Sequence, residues 1–232
     1  MIASAPSGPV IVLDNLVKFF GRFAAIRGIS STFAAARLYV VLGDNGAGKS
    51  TLLRILAGLS EPSQGSFTLL GAKRPRDVAH RLGYMGHAPL LYDELSGMEN
   101  LRYFAGLYGL ADDNLSRKAM HMVGLDPDLL RRVGQYSQGM RQRLSLARAV
   151  LHDPELMLLD EPFSNVDVHS ARHMAAVLGR VRDQGKTILV VTHQAQLLES
   201  AADEFVHMAA GQIVTREAVT RGADMDAVRS AP

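Results

Sequence analysis

Gly43-Asp44-Asn45-Gly46-Ala47-Gly48-Lys49-Ser50 satisfies the pattern G-x-x-x-x-G-K-[ST], and the residues on either side of it decide the fold. Ahead of it, Leu38-Tyr39-Val40-Val41-Leu42 is a continuous apolar run with β-branched members, as expected for a parallel strand buried on both faces. Behind it, Thr51-Leu52-Leu53-Arg54-Ile55-Leu56-Ala57-Gly58 spaces its apolar residues for a helix and closes on a glycine. Strand, glycine-rich turn and helix together make a phosphate-binding loop. Its glycines let the backbone turn tightly and bring N–H groups to the phosphates, and the helix N-terminus adds partial positive charge. In such a loop Lys49 reaches the β- and γ-phosphates of a nucleotide and Ser50 holds Mg²⁺.

Outward from this loop, strand and helix signals alternate, so the expected architecture is α/β: a mostly parallel sheet with helices around it and no internal repeat. Val10 to Leu16, Ile29 to Phe33, Leu38 to Leu42 and Ser66 to Leu70 read as strands, together suggesting a β-rich edge near the nucleotide. Between residues 88 and 136 the pattern changes to a helical insertion, with helices expected at Glu99 to Tyr108, Leu115 to Val123 and Asp128 to Val133. Glu155 to Asp160 and Thr187 to Val191 return to buried-strand patterns. Residues 1–9 read as a flexible tail, 10–215 as the folded domain, and the polar stretch from Arg216 to Pro232 as loosely ordered.

Composition agrees with a catalytic domain: 232 residues with 47% hydrophobic content can bury a sizeable core. The chain has no cysteine, which excludes disulfides and thiolate metal sites and is compatible with the cytoplasm. No stretch approaches the roughly 18 apolar residues of a membrane span, and Met1 to Pro9 lacks the charged and apolar regions of a signal peptide. A formal charge of +2 is too small to argue for a nucleic-acid partner, and none is expected.

Two further stretches carry chemistry. Asp160-Glu161 closes an expected strand with adjacent carboxylates that can take different tasks, Asp160 in the Mg²⁺ shell beside Ser50 and Glu161 accepting a proton from a water that attacks the γ-phosphate. Thr192-His193 closes the other strand, where an imidazole can donate to a phosphate. Ser137-Gln138-Gly139, followed by the helix-compatible run Met140 to Arg148, offers a second anion-binding helix start, because Ser137 can cap the helix while its N–H groups face outward.

In this order the motifs resemble the nucleotide-binding domain of ATP-binding cassette (ABC) ATPases, from about Val10 to Val214. The resemblance implies a P-loop NTPase fold of the ABC type, with an antiparallel β subdomain and a helical subdomain at about 88–136. It assigns Gly43 to Thr51 to the Walker A loop, Leu156 to Glu161 to Walker B, Ser137-Gln138-Gly139 to the signature, Ser164 to Asp167 to the D-loop and His193 to the switch histidine. It assigns Phe20, which by itself reads as a core aromatic, to stacking on adenine. It implies ATP and Mg²⁺ as ligands and a second copy of the cassette that sandwiches nucleotide between one Walker A loop and the opposite Ser137 and Gly139. It also implies an integral membrane permease as partner, and so a peripheral place on the cytoplasmic face of the cell membrane.

Departures from the family pattern are informative. Tyr136, Gln138, Met140 and Val166 differ from the usual residues, while Ser137, Gly139, Ser164 and Asp167 are kept. His87 stands where a Mg²⁺-touching glutamine is normal; Mg²⁺ prefers oxygen ligands, so the imidazole either acts through water or does not touch the metal. Gly86-His87, Asp160-Glu161-Pro162-Phe163 and Thr192-His193-Gln194 resemble the haem-exporter branch that serves cytochrome c maturation, the alternative being an ATPase of another exporter. A soluble ABC ATPase acting on ribosomes or DNA and an unrelated phosphate-loop kinase are the remaining readings. His169 and His173 share a helix face but have no third ligand in sequence, so they are not read as a metal site.

Overall fold

The computed structural model describes residues 8–219, and the apolar runs around the phosphate loop lie side by side in it. Among the described residues the strands are β1 (Pro9–Phe20), β2 (Phe23–Ala34), β3 (Leu38–Leu42), β4 (Gln64–Leu69), β5 (Leu82–Met85), β6 (Leu156–Asp160), β7 (Thr187–Val191), β8 (Glu204–Ala209) and β9 (Gln212–Ala218). The helices are α1 (Lys49–Leu56), α2 (Gly97–Leu107), α3 (Asp113–Met122), α4 (Gln138–Val150) and α5 (Val168–Asp183). Six strands form one sheet in the order β5-β6-β7-β3-β8-β9, parallel except for β9. The other three form an antiparallel sheet in the order β2-β1-β4.

The core sits on both faces of the large sheet, which is why its central strands are apolar throughout rather than alternating. Leu38, Val40, Met157, Leu159, Ile188 and Val190 point to one face, where they share a core with α4 and α5, and α2 and α3 extend that core by packing on α4. Tyr39, Val41, Leu156, Leu158, Leu189 and Val191 point to the other, against α1 and the antiparallel sheet. Each such side chain, when fully buried, contributes about 1.5–3 kcal/mol. The consequence for function is positional: β6, β7 and β3 are neighbours, so Asp160, Val191 and Val41 end level with one another beside the phosphate loop.

In the helical part, Ser96 caps α2 with a reciprocal pair: Ser96 N–H donates to Glu99 Oε2 at 2.7 Å and Glu99 N–H donates to Ser96 Oγ at 3.3 Å. Ser96→Ala is expected to cost about 1 kcal/mol, read as a lower urea midpoint with an unchanged slope. An unaltered midpoint would show that the pair adds nothing to folding.

Several expectations need correction. Asp128 to Val133 is not a helix. Asp126 Oδ1 accepts from Asp128 N–H at 2.9 Å across Pro127, forming a turn. Val133 N–H and Gly134 N–H then donate to Leu95 and Asp93, which ties the segment to the start of α2. A single short 3₁₀ turn, Val133–Gln135, follows. β1 and β2 are twelve residues each and extend well beyond Val10 to Leu16 and Ile29 to Phe33. β8 and β9 correspond to no expected strand. Pro9 already belongs to β1, and Arg216 to Ala218 belong to β9 rather than to a loose tail. Arg216 is fixed there by Glu204 and by donating to Ser31 Oγ at 2.6 Å and Thr32 O at 2.8 Å. The remainder of both expected tails, 1–7 and 220–232, lies outside the described residues.

Candidate active site

The loop between β3 and α1 has the geometry its glycines demand. Gly43 has φ 143°, and a Cβ there would come within 2.0 Å of the Met208 carbonyl oxygen; Gly48 has φ 96°, and a Cβ would meet the Ala25 carbonyl at 2.4 Å. Neither position can carry a side chain without the backbone moving. Gly48 precedes α1 without a side-chain cap, and no acidic residue lies in the first turn, so the first N–H groups of α1 remain available to an anion. Lys49 is only 6% exposed and its Nζ donates to the carbonyls of Gly43 at 2.6 Å and Asp44 at 2.9 Å. The ammonium is thereby wrapped by the same loop, poised over the space a phosphate would take.

Beneath the loop, Ser50 Oγ donates to Asp160 Oδ1 at 2.9 Å. Asp160 is 4% exposed, and burial pushes its carboxyl above the usual carboxylate range, partly offset by the Ser50 bond and by the nearby charges of His87, Lys49 and Arg54. A buried carboxylate and a hydroxyl offer hard oxygen donors that fit Mg²⁺, and a cation there would favour the charged form of Asp160. Among the described residues no group of three His, Cys, Asp or Glu could enclose a metal by itself, in keeping with an ion that takes its remaining oxygens from phosphate and water. His173 Nε2 contacts the Met122 carbonyl at 2.9 Å and so joins α5 to α3.

Glu161 follows at the end of β6 with φ 51°, a left-handed conformation unusual for a side-chain-bearing residue. Its Oε1 lies 3.2 Å from His193 Nε2, and its Oε2 accepts from His193 N–H at 3.4 Å. Burial raises the Glu161 carboxyl above its ordinary value, the His193 charge and backbone bond working against that rise. Asn45, Gly46, Ala47, Gly48, Lys49, Ser50, His87, Glu161, Ser164 and His193 line one cleft of about 420 Å³, so most residues singled out from the sequence converge in one place.

Others do not. Ser137 caps α4, its Oγ accepting from Met140 N–H at 3.2 Å, and both it and Gln138 are exposed. Gln138 lines a neighbouring cleft of about 640 Å³ with His87, Pro89, Gln142, Ser164 and Asn165; Ser137 and Gly139 line neither. Phe20 is 54% exposed at the end of the β1–β2 hairpin, paired with Phe23 and with Lys18 Nζ 5.1 Å from its ring centre, so it is not a core aromatic. Gln142, which belongs to none of the motifs, also reaches the site, its Nε2 donating to the Glu161 carbonyl at 3.1 Å. The signal was present: Gln142 and Ser145 are polar residues on the apolar face of α4.

The sequence model of the ABC transporter family matches residues 26–164, more than half the chain. The chain belongs to the ABC transporter family. As an ABC ATPase it binds ATP with Mg²⁺ and hydrolyses it, in a family whose cassettes pair with one another and work with membrane permeases. The ABC transporter ATP-binding protein NatA of Bacillus subtilis (strain 168) is 36% identical over 202 residues, covering 84% of this chain and 82% of NatA. The bacitracin transport ATP-binding protein BcrA of Enterococcus faecalis is 32% identical over 209 residues, covering 88% of this chain and 68% of BcrA. Among solved structures, the dimeric ATP-binding cassette MJ0796 bound to ADP and Pi has the same fold, with a TM-score of 0.84 at 21% identity over 91% of this chain and 99% of that one. No helix of the ABC ATPase, among the described residues, is long and apolar enough to cross a membrane.

Proposed function

We propose that the chain is the motor of an exporter whose transport path is a separate membrane protein, held peripherally at the cytoplasmic face of the cell membrane, and that its cargo is haem for cytochrome c maturation, as for the ATPase CcmA. The observation that carries the motor reading is the convergence of Lys49, the Ser50–Asp160 pair and the Glu161–His193 pair on one cleft, with Ser137 and Gly139 outside it. A site complete except for its signature contact is what a two-copy sandwich requires.

In this reading the free N–H groups of α1 and the Lys49 ammonium bind the β- and γ-phosphates, with Gly43 to Ala47 wrapping them and Thr51 continuing the helix behind. Ser50 and Asp160 hold Mg²⁺, which when bound offsets phosphate charge. Glu161 accepts a proton from the attacking water; its burial makes the carboxylate a stronger base than one in solvent. His193 orients Glu161 and donates to the departing phosphate. Phe20 stacks on adenine, and Ser137, Gln138 and Gly139 face the ATP of the paired copy. Once phosphate leaves, the contacts that join the copies are lost and the pair opens.

His87 is exposed and lines both clefts, between the nucleotide side and the helical part. We assign it to relaying nucleotide state to the permease rather than to metal ligation. His87→Gln is expected to keep basal hydrolysis and to alter stimulation by the permease; a dead ATPase in that variant would show that the imidazole is required for the chemistry.

The haem assignment rests on Gly86-His87, Asp160 to Phe163 and Thr192 to Gln194. The name of BcrA supports a second reading, antibiotic export. Removing the chain from its host separates them. Loss of covalently haem-bearing cytochromes c, restored by the wild-type chain, is the expected result. Intact cytochromes c with new sensitivity to a peptide antibiotic would favour the second reading, and stable binding to ribosomes without a membrane partner would overturn both.

A further inference from the structure

Gln142 stands five residues beyond Ser137 on α4 and is 6% exposed. Its side-chain amide leaves the helix and donates from Nε2 to the backbone carbonyl of Glu161 at 3.1 Å. Three residues further along the same face, fully buried Ser145 donates from Oγ to the Pro89 carbonyl at 3.0 Å. Within one turn, α4 therefore grips both the turn that carries Glu161 and the loop that carries His87.

The Glu161 turn needs such a grip. A residue with a side chain persists at φ 51° only where its surroundings hold it there. Three bonds hold the backbone of this residue: Glu161 N–H donates to Val191 O at 2.8 Å, Ser164 N–H donates to Glu161 O at 3.2 Å, and the Gln142 amide shares that same carbonyl. The first comes from the sheet and the second from the following loop. The third comes from the helix that begins at Ser137, about 7.5 Å back along its axis at 1.5 Å per residue.

We propose that Gln142 is a positioning residue, which ties the aim of the Glu161 carboxylate to the helix whose first turn meets the nucleotide of the paired copy. The proposal rests on the reading of Glu161 as base and of Ser137 as the contact to the second copy. α4 moves as a unit, so a displacement at Ser137 reaches the Glu161 carbonyl through one hydrogen bond. Misplacing a reacting group by about 1 Å can cost about 100-fold in rate, so this bond is enough to let occupancy of one cleft govern chemistry in the other. Glu161 is then aligned in a given copy when the signature end of that same copy is engaged.

The test compares steady-state ATPase kinetics, with Mg²⁺ and varied ATP, for the full chain and three variants. Gln142→Met keeps the length and bulk of the side chain but has no donor. Gln142→Glu keeps its shape and places an acceptor against the carbonyl. Gln142→His keeps a ring N–H at similar reach. The Met and Glu variants are expected to lose roughly 10- to 100-fold in kcat, with KM for ATP and the thermal midpoint held, and with a Hill slope lowered towards one. The His variant is expected to recover much of that loss. Wild-type kcat and Hill slope in Gln142→Met would overturn the proposal, as would Met and His variants that behave alike, or a loss of kcat that tracks a lowered thermal midpoint. If the Met variant does not fold, the contrast between Glu and His carries the same decision. An active Gln142→Met beside an inactive Glu161→Gln would sink this proposal alone, whereas a fully active Glu161→Gln would remove the reading on which it rests.

Discussion

Replacing Glu161 with glutamine is expected to cut ATP turnover at least about 100-fold, since that is the lower range of what a general base supplies. The substitution changes little else. The amide has the same shape, and its oxygen can still accept the His193 N–H that now reaches Oε2 at 3.4 Å. The backbone bonds from Gln142 and to Val191 do not involve the side chain. What disappears is a carboxylate whose basicity burial has raised, with His193 3.2 Å away to orient it. Binding of ATP and ATP-dependent pairing should survive, because the groups that hold phosphate, Lys49 and the α1 N-terminus, are untouched. Turnover by phosphate release, with pairing followed by light scattering in ATP, tests both halves of the expectation. Near-normal turnover would refute the assignment of Glu161; loss of pairing together with turnover would make its role one of binding.

The phosphate loop was legible in the sequence because its apolar strand, its glycines and the helix that starts at Lys49 all fall within Leu38 to Leu56, although the carbonyls that force glycine at 43 and 48 belong to the distant Met208 and Ala25. Asp160 and Glu161 were legible for a related reason: an apolar run followed by acids marks the end of a buried strand, and the ends of β6, β7 and β3 meet because those strands are neighbours. Three features were hidden, each by a tertiary effect. β8 alternates buried and half-buried residues and β9 is largely exposed at the sheet edge, so neither gives a continuous apolar run. Asp128 to Val133 has helix-compatible residues, but an Asp126 turn across Pro127 and the bonds to Leu95 and Asp93 set its path. The bond from Gln142 to Glu161 joins residues 19 apart, and no propensity or spacing rule reaches that far. Whether Ser137 and Gly139 complete a site was visible only as motif; the structure adds that they line neither cleft of their own chain.

The second large effect is expected from Lys49→Ala, as a loss of ATP affinity. Lys49 Nζ already satisfies itself on the carbonyls of Gly43 and Asp44, and the side chain is nearly buried by the loop it closes. Binding ATP thus exchanges neutral acceptors for charged phosphate oxygens without moving the ammonium far, so little of the gain is spent on ordering a long side chain. A hydrogen bond to a charged group contributes about 1.5–3 kcal/mol net, which at 1.4 kcal/mol per decade corresponds to roughly a 10- to 150-fold weaker Kd. Two opposing effects accompany the truncation: the Gly43 and Asp44 carbonyls lose their donor, and a buried positive charge is removed from beside Asp160, whose charged form Lys49 favours. The first acts only in the free protein, where those bonds are made, so it lowers stability and offsets part of the affinity loss, whereas the second acts in both states and bears on stability more than on affinity. Calorimetric titration with ATP and Mg²⁺, alongside a denaturation curve, separates the two. An unchanged Kd would remove Lys49 from the phosphate site, and a weakened Kd at unchanged stability would show that its bonds to the loop are placeholders for phosphate.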